Sequence, residues 1–344
     1  MITSAPVSMQ PAPPSVPMPL RTDWQSAWRD SINDPYKLLS RLRLEEIAAR
    51  ISKTAAEQFP LRVPQGYVKR MRRGEAHDPL LRQVLPIDEE MRLAPGFSLD
   101  AVGDTQARAA AGVIRKYHGR ALLIATGSCA IHCRYCFRRY FPYADENAAR
   151  DHWRDAIETV RANPGIDEVI LSGGDPLSVI TSKLAELTDG LRRIGHIRRL
   201  RIHSRLPVVL PERIDAALLQ WLASLPWPVS FVIHANHANE FDDSVDAALA
   251  ALRGAGVTLL NQAVLLRGVN DNVHALAELS ERGFAAGVLP YYLHQLDRVQ
   301  GVAHFEVPDE RAKLLHAELH SRLSGYLVPR LVREIPGDAG KRAL

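Results

Sequence analysis

Cysteine is scarce: three occur in 344 residues, at Cys129, Cys133 and Cys136, all within eight positions. An odd number crowded into one short segment argues against a disulfide framework and for a reducing compartment, the cytoplasm by default. The chain also lacks any apolar run near the roughly 20 residues that cross a bilayer, which excludes membrane function. Long basic runs are absent as well. The net charge of +4 comes from scattered Arg, which argues against nucleic-acid binding and leaves small anions as suitable ligands. Residues 1–20, rich in Pro and Ser, have neither a basic start nor a continuous apolar centre, so they read as a disordered leader and not a signal peptide.

What is there is enough for one large α/β domain with appended elements: 46% of the residues are hydrophobic. Residues 21–107 read as an N-terminal helical region, with segments such as DPYKLLSRLRLEEIAARI followed by a charged, loop-rich stretch. Beyond it, β-branched and apolar runs begin at Ala121, Asp167, Arg199, Val229, Val257 and Gly287, with intervals of 46, 32, 30, 28 and 30 residues. An interval near 30 accommodates one strand, one covering helix and two loops. The pattern therefore predicts a partial (β/α)6 barrel over 108–300 and a short C-terminal segment over 301–344. Chemistry in such folds gathers where the strands end. The cysteines, SGGDP, His203 to Arg205, and His234, Asn236 and His237 all fall at such ends. Gln262 lies late in the fifth strand, and His294 and Asp297 follow the sixth.

The cysteines are spaced C-x3-C-x2-C, so one loop can present three thiolates to three corners of a 4Fe-4S cube and leave the fourth iron open. An open iron can chelate the amino and carboxylate groups of S-adenosylmethionine, whose reductive cleavage yields a 5′-deoxyadenosyl radical. Zinc on three Cys and His132 is the competing reading, weakened because His132 and Cys133 are adjacent and would wrap one ion poorly. Gly173, Gly174 and Asp175 of SGGDP suit a close approach of backbone to a bound S-adenosylmethionine, or simply a strand-to-helix turn capped by Asp175.

The segments DPLLRQVLP, CRYCFRRYFPY, SGGDP, RIHSRLPVV, NHANE, GVTLLNQAVLLRGVNDN, PYYLHQLDRVQGVAHF and SGYLVPRLVREI resemble the lysine 2,3-aminomutases. The resemblance runs from about Trp24 to Lys341 and is strongest to the short bacterial form that supplies β-lysine for elongation factor P. It implies a radical S-adenosylmethionine isomerase with pyridoxal 5′-phosphate as a further cofactor. It assigns Lys341, in PGDAGK, as the pyridoxal lysine, although by position Lys341 reads as a solvated terminal residue. Lys116, Arg120 and Gln262 become phosphate contacts, Arg138 the partner of the substrate carboxylate, and Asp297 and Glu334 the partners of its distant ammonium. His234 and Asn236 become contacts to S-adenosylmethionine or the pyridoxal ring.

The resemblance further implies an electron donor such as flavodoxin or ferredoxin, the R enantiomer of β-lysine, and the elongation factor P ligase and elongation factor P as downstream partners. A homo-oligomer is compatible with it. The chain departs from the catabolic members at Glu334, where they carry Asp, and in lacking the further cysteines with which they bind zinc between subunits. Another radical aminomutase, such as one acting on glutamate, would keep the cysteines and Lys341 but replace the two acids. A non-enzymatic metal-binding module would need no barrel.

Overall fold

The computed structural model describes residues 23–146, 148–149 and 153–344; the leader expected at 1–20 lies outside them. The apolar runs become strands of one sheet whose spatial order follows the sequence. They are β1 Arg108–Ala110, β2 Val113–Ile114, β3 Arg120–Thr126, β4 Glu168–Gly173, β5 Arg199–Ser204, β6 Val229–Ile233, β7 Thr258–Val264, β8 Leu289–His294, β9 Arg330–Arg333 and β10 Arg342–Ala343. β3 to β9 run parallel, while β1 and β2 precede them and β10 follows as antiparallel partners. The expected six strands are therefore β3 to β8 of a partial barrel, and β9 continues the parallel run. β4 is buried from Val169 to Gly173, as expected of a parallel strand covered on both faces.

Each crossover helix presents an apolar stripe to the sheet. In Asp243–Gly254 the buried residues are Val245, Ala248, Leu249 and Leu252, the i, i+3, i+4, i+7 spacing of one helical face. Asp242 caps that helix by accepting from the amides of Ser244 and Val245, and Asp215 and Asn272 cap the helices before and after it.

The N-terminal region is less regular than expected. The helix Pro35–Leu42 stops at Arg43, which adopts φ 57°, and the chain resumes as a tighter 3-10 turn at Glu45–Arg50. The reason is burial: the reversal lets the Leu44 amide reach Leu39 O at 3.0 Å and puts the Leu44 side chain fully inside. A continuous set of core side chains runs from Ile32 through the barrel to Leu331, so this region packs directly onto the strands. No helix among the described residues is long and apolar enough to cross a membrane.

Candidate active site at the barrel mouth

The chain leaving β3 enters the cysteine loop, which is fixed on both flanks. On one side, the N-terminal region grips residues between the cysteines. His132 N donates to Arg62 O at 3.0 Å and Arg134 N to Gln83 O at 2.8 Å. Arg134, fully buried, sends Nε and Nη2 to Glu90 at 2.8 and 2.6 Å, and Arg139 meets the same carboxylate at 2.8 Å. On the other side, the loop lies against SGGDP: Gly174 N donates to Thr126 O at 2.7 Å and Asp175 N to Ser128 O at 2.9 Å. A Cβ on Gly174 would stand 2.5 Å from Ser128 O, so this close approach requires glycine.

The three thiols are half-buried and form no disulfide. Burial pushes the Cys129 thiol well up and that of Cys136 to about 11, with the neighbouring Cys133 adding to the rise. Among the described residues no three His, Cys, Asp or Glu side chains gather as a single metal ion requires. A cube asks for a wider spread, since each thiolate meets a different iron. His132 is turned away, its Nδ1 2.6 Å from Pro60 O and its ring stacked on Phe59, so the zinc reading finds no fourth ligand there. Three sulfurs on one loop, with the Arg205 guanidinium 2.7 Å from Cys133 Sγ, suit an iron–sulfur cluster.

Glu334 follows β9 and Lys341 precedes β10. Their register pairs Arg342 with Arg333, so the hairpin sets Lys341 opposite Glu334 at the end of the seventh parallel strand. Lys341 Nζ is 2.6 Å from Glu334 Oε2 and lies over the Tyr292 ring at 5.9 Å. Glu334 Oε1 accepts from Tyr117 at 2.6 Å and Lys116 at 3.3 Å. Burial alone would raise this carboxyl, but the charge of Lys341 and these donors hold it below its ordinary range. Asp297, beside it, has burial as its main influence and is pushed up to about 7, with Lys341 opposing and Glu334 assisting the rise.

Lys116, expected as a phosphate contact, lies among acids. Its ammonium is 2.6 Å from Asp104 Oδ1, 3.3 Å from Glu334 and 2.7 Å from Val102 O. Asp104 also takes Arg138 Nε at 2.7 Å, while Arg138 Nη1 reaches Ser172 Oγ at 3.2 Å. Asp104 was not singled out from sequence, since it sits in a loop without a motif. Burial works against its ionisation, and the charges of Arg138 and Lys116 prevail and lower its pKa.

Asp175 is likewise engaged within the framework. Its Oδ1 accepts from Ser204 Oγ at 2.8 Å and Leu177 N at 3.0 Å, and its Oδ2 from Arg205 N at 2.7 Å. Asn236 is used up by Gln83, Tyr135 and the Val264 amide. The side chains of these two tie neighbouring strand ends together, Asp175 as the strand-to-helix cap.

The barrel interior, by contrast, holds polar atoms without partners: His203 Nε2, His234 Nε2, His294 Nε2, Arg120 Nε and Arg201 Nε. His203 and His234 pack edge to face at 5.8 Å, and His294 lies 5.4 Å from Tyr292. Burial holds His234 down at about 4 and depresses His203 and His294 strongly, with the Lys341 charge adding to both. Burial favours the neutral form of all three, and His203 and His294 lie close enough to Lys341 to feel its charge. Unpartnered ring nitrogens near a lysine, together with the unpartnered Nε atoms of Arg120 and Arg201, fit a planar, phosphate-bearing cofactor. Gln262 contributes from β7, paired in register with Tyr292. Arg201 was missed from sequence, although an Arg in the middle of the apolar strand RLRIH is itself a signal.

A parallel partial barrel with a three-cysteine loop at its strand ends is the frame of a radical S-adenosylmethionine protein, and residues 123–279 match the Radical SAM superfamily. The chain is 49% identical to the L-lysine 2,3-aminomutase of Escherichia coli over 95% of each chain. It is 44% identical to that of Haemophilus influenzae, covering 93% of this chain and 94% of the relative. To that of Clostridium subterminale it is 33% identical, over 93% of this chain and 77% of the longer relative. The chain belongs to the lysine 2,3-aminomutase family, and it is thereby an isomerase.

Proposed function

We propose that the protein converts L-α-lysine to β-lysine by moving the amino group from C2 to C3, with pyridoxal phosphate carried on Lys341. The observation that carries this reading is the C-terminal hairpin, which brings Lys341 to the same barrel mouth as the cysteine loop, beside two acids. When bound, the cluster and S-adenosylmethionine supply a 5′-deoxyadenosyl radical and pyridoxal phosphate supplies a conjugated electron sink.

The chain's own residues bind and orient. Lys116, Arg120, Gln262 and Arg201 would hold the phosphate. Asp104 holds Nε of Arg138 and Ser172 accepts from Nη1, which leaves Nη2 for the substrate carboxylate. Asp297 and Glu334 take the distant ammonium, the group that separates lysine from glutamate as substrate. The neutral His203, His234 and His294 line the chamber without adding charge to a radical reaction. The loop 127–143 and SGGDP lie together at one side of the mouth and would shield the bound groups from water there.

The same reading includes formation of the R enantiomer in the cytoplasm, reduction by a flavodoxin or ferredoxin, and delivery of the product to the elongation factor P ligase for modification of elongation factor P. A homo-oligomer is part of it. These assignments rest on the resemblance to the short bacterial form, and the 95% coverage of both chains in the E. coli match supports that form over the longer one. Anaerobically reconstituted protein, given lysine, S-adenosylmethionine, pyridoxal phosphate and dithionite, is expected to yield β-lysine, with chiral chromatography assigning the enantiomer. Turnover of glutamate but not lysine under those conditions would favour the alternative aminomutase.

A further inference from the structure

Arg205, immediately after β5, points one arm at the cluster loop. Nη1 is 2.7 Å from Cys133 Sγ, and the side chain is 6% exposed. The other arm is locked: Nη2 donates to Glu240 Oε2 at 2.9 Å, Gln83 Oε1 at 2.7 Å and Tyr67 OH at 3.2 Å. The Tyr67 and Tyr135 rings lie 5.5 and 5.6 Å from the guanidinium carbon, and the backbone amide is held by Asp175. The head group therefore has no freedom to swing away from the sulfur.

Neutralising the fully buried Glu240 needs Nη2 alone. Nη1 serves the thiol. An N–H donated to a ligating sulfur stabilises negative charge there, and stabilises it more after the cluster accepts an electron than before, so such bonds raise the reduction potential. Because Glu240 offsets the net charge of Arg205, what reaches the sulfur is chiefly the directed N–H dipole, undiminished by solvent in this buried setting.

We propose that Arg205 is a positioning residue for the iron–sulfur cluster, its Nη1 holding the Cys133 thiolate in its ligating place and making the loaded cluster easier to reduce. This rests on the reading of the three cysteines as a cluster site. The step it affects is the entry of one electron from an external donor, with no bond made or broken in the protein.

The test is an anaerobic redox titration, with dithionite as reductant and the electron paramagnetic resonance of the reduced cluster as readout. Iron and sulfide are counted on each sample, and folding is checked by thermal melting. Arg205→Lys keeps a cation for Glu240 but changes the group that meets the sulfur; Tyr67→Phe alters the network without touching the sulfur. The expected result is a midpoint shifted to more negative potential in Arg205→Lys, with faster loss of iron on dilution, and an unshifted Tyr67→Phe. Should Arg205→Lys fail to fold, the double variant Arg205→Met with Glu240→Gln removes both buried charges together and is expected to show the same negative shift. A folded, loaded variant with the wild-type midpoint overturns the proposal while leaving the cluster reading intact. Wild-type protein that binds far fewer than about four irons per chain overturns both.

Discussion

Lys341 and Glu334 face each other across the C-terminal hairpin with Nζ and Oε2 2.6 Å apart, and both are anchored at the mouth of a parallel barrel whose first strand begins more than 200 residues earlier. Both Glu334 oxygens are engaged, by Tyr117, Lys116 and Lys341, so an incoming ammonium has to displace one of these donors. Glu334→Gln removes the charge but keeps the shape. A charge-assisted hydrogen bond contributes about 1.5–3 kcal/mol, so KM for lysine is expected to rise roughly 10- to 100-fold in steady-state assays, with the visible absorbance of bound pyridoxal phosphate retained.

The two ends of the chemistry are separable. Lys341→Ala is expected to abolish β-lysine formation and the borohydride-stabilised pyridoxal label on the C-terminal peptide, while leaving iron content unchanged. Cys133→Ala reverses the pattern: iron and the cluster absorbance are lost and the label on Lys341 persists. Mass spectrometry and iron analysis on the same samples decide both.

Asp297 makes lysine binding pH-dependent. Burial pushes its carboxyl to about 7, so it is charged above that pH and neutral below it. Lysine affinity, followed by the absorbance change of bound pyridoxal phosphate, is expected to fall as pH drops from 8 to 6, and Asp297→Asn is expected to remove that dependence. The linkage to stability has the opposite sense. A carboxyl raised on folding from 3.8 to about 7 destabilises the fold increasingly between those values and constantly above them. Asp297→Asn should therefore melt higher than wild type at pH 8 and equally at pH 3.5.

Glu90 is shared by two buried guanidiniums, those of Arg134 and Arg139, and has a 1% exposed side chain. Glu90→Gln leaves both cations without their counterion, at a cost of about 3–5 kcal/mol. Urea unfolding is expected to show that loss, together with reduced iron uptake, because Arg134 sits between Cys133 and Cys136.

Gly174→Ala places a methyl carbon 2.5 Å from Ser128 O. The cysteine loop must retreat, at about 1–3 kcal/mol, and iron content per chain should fall while the pyridoxal label on Lys341 stays at the wild-type level.

Much of this was legible in the sequence where the relevant residues are neighbours along the chain. The strand-and-helix rhythm after residue 120 is carried by local apolar periodicity, and β3 to β8 fall where it places them. The cysteine spacing lies within one loop, and a loop of that length can be read for chemistry without a fold. The N-terminal region was less legible, because Leu44 is buried by tertiary packing that ends a helix its own propensities would continue.

The sequence by itself determined the class of chemistry, since three thiols within eight positions constrain what one loop can hold. Tertiary structure decided which distant groups meet. The continuation of the parallel sheet into β9 turns a terminal lysine into a half-buried one at the barrel mouth. A motif-free Asp104 joins Arg138 to Lys116. Such pairings are non-local: they depend on strand register and shared burial, which no short window of sequence encodes.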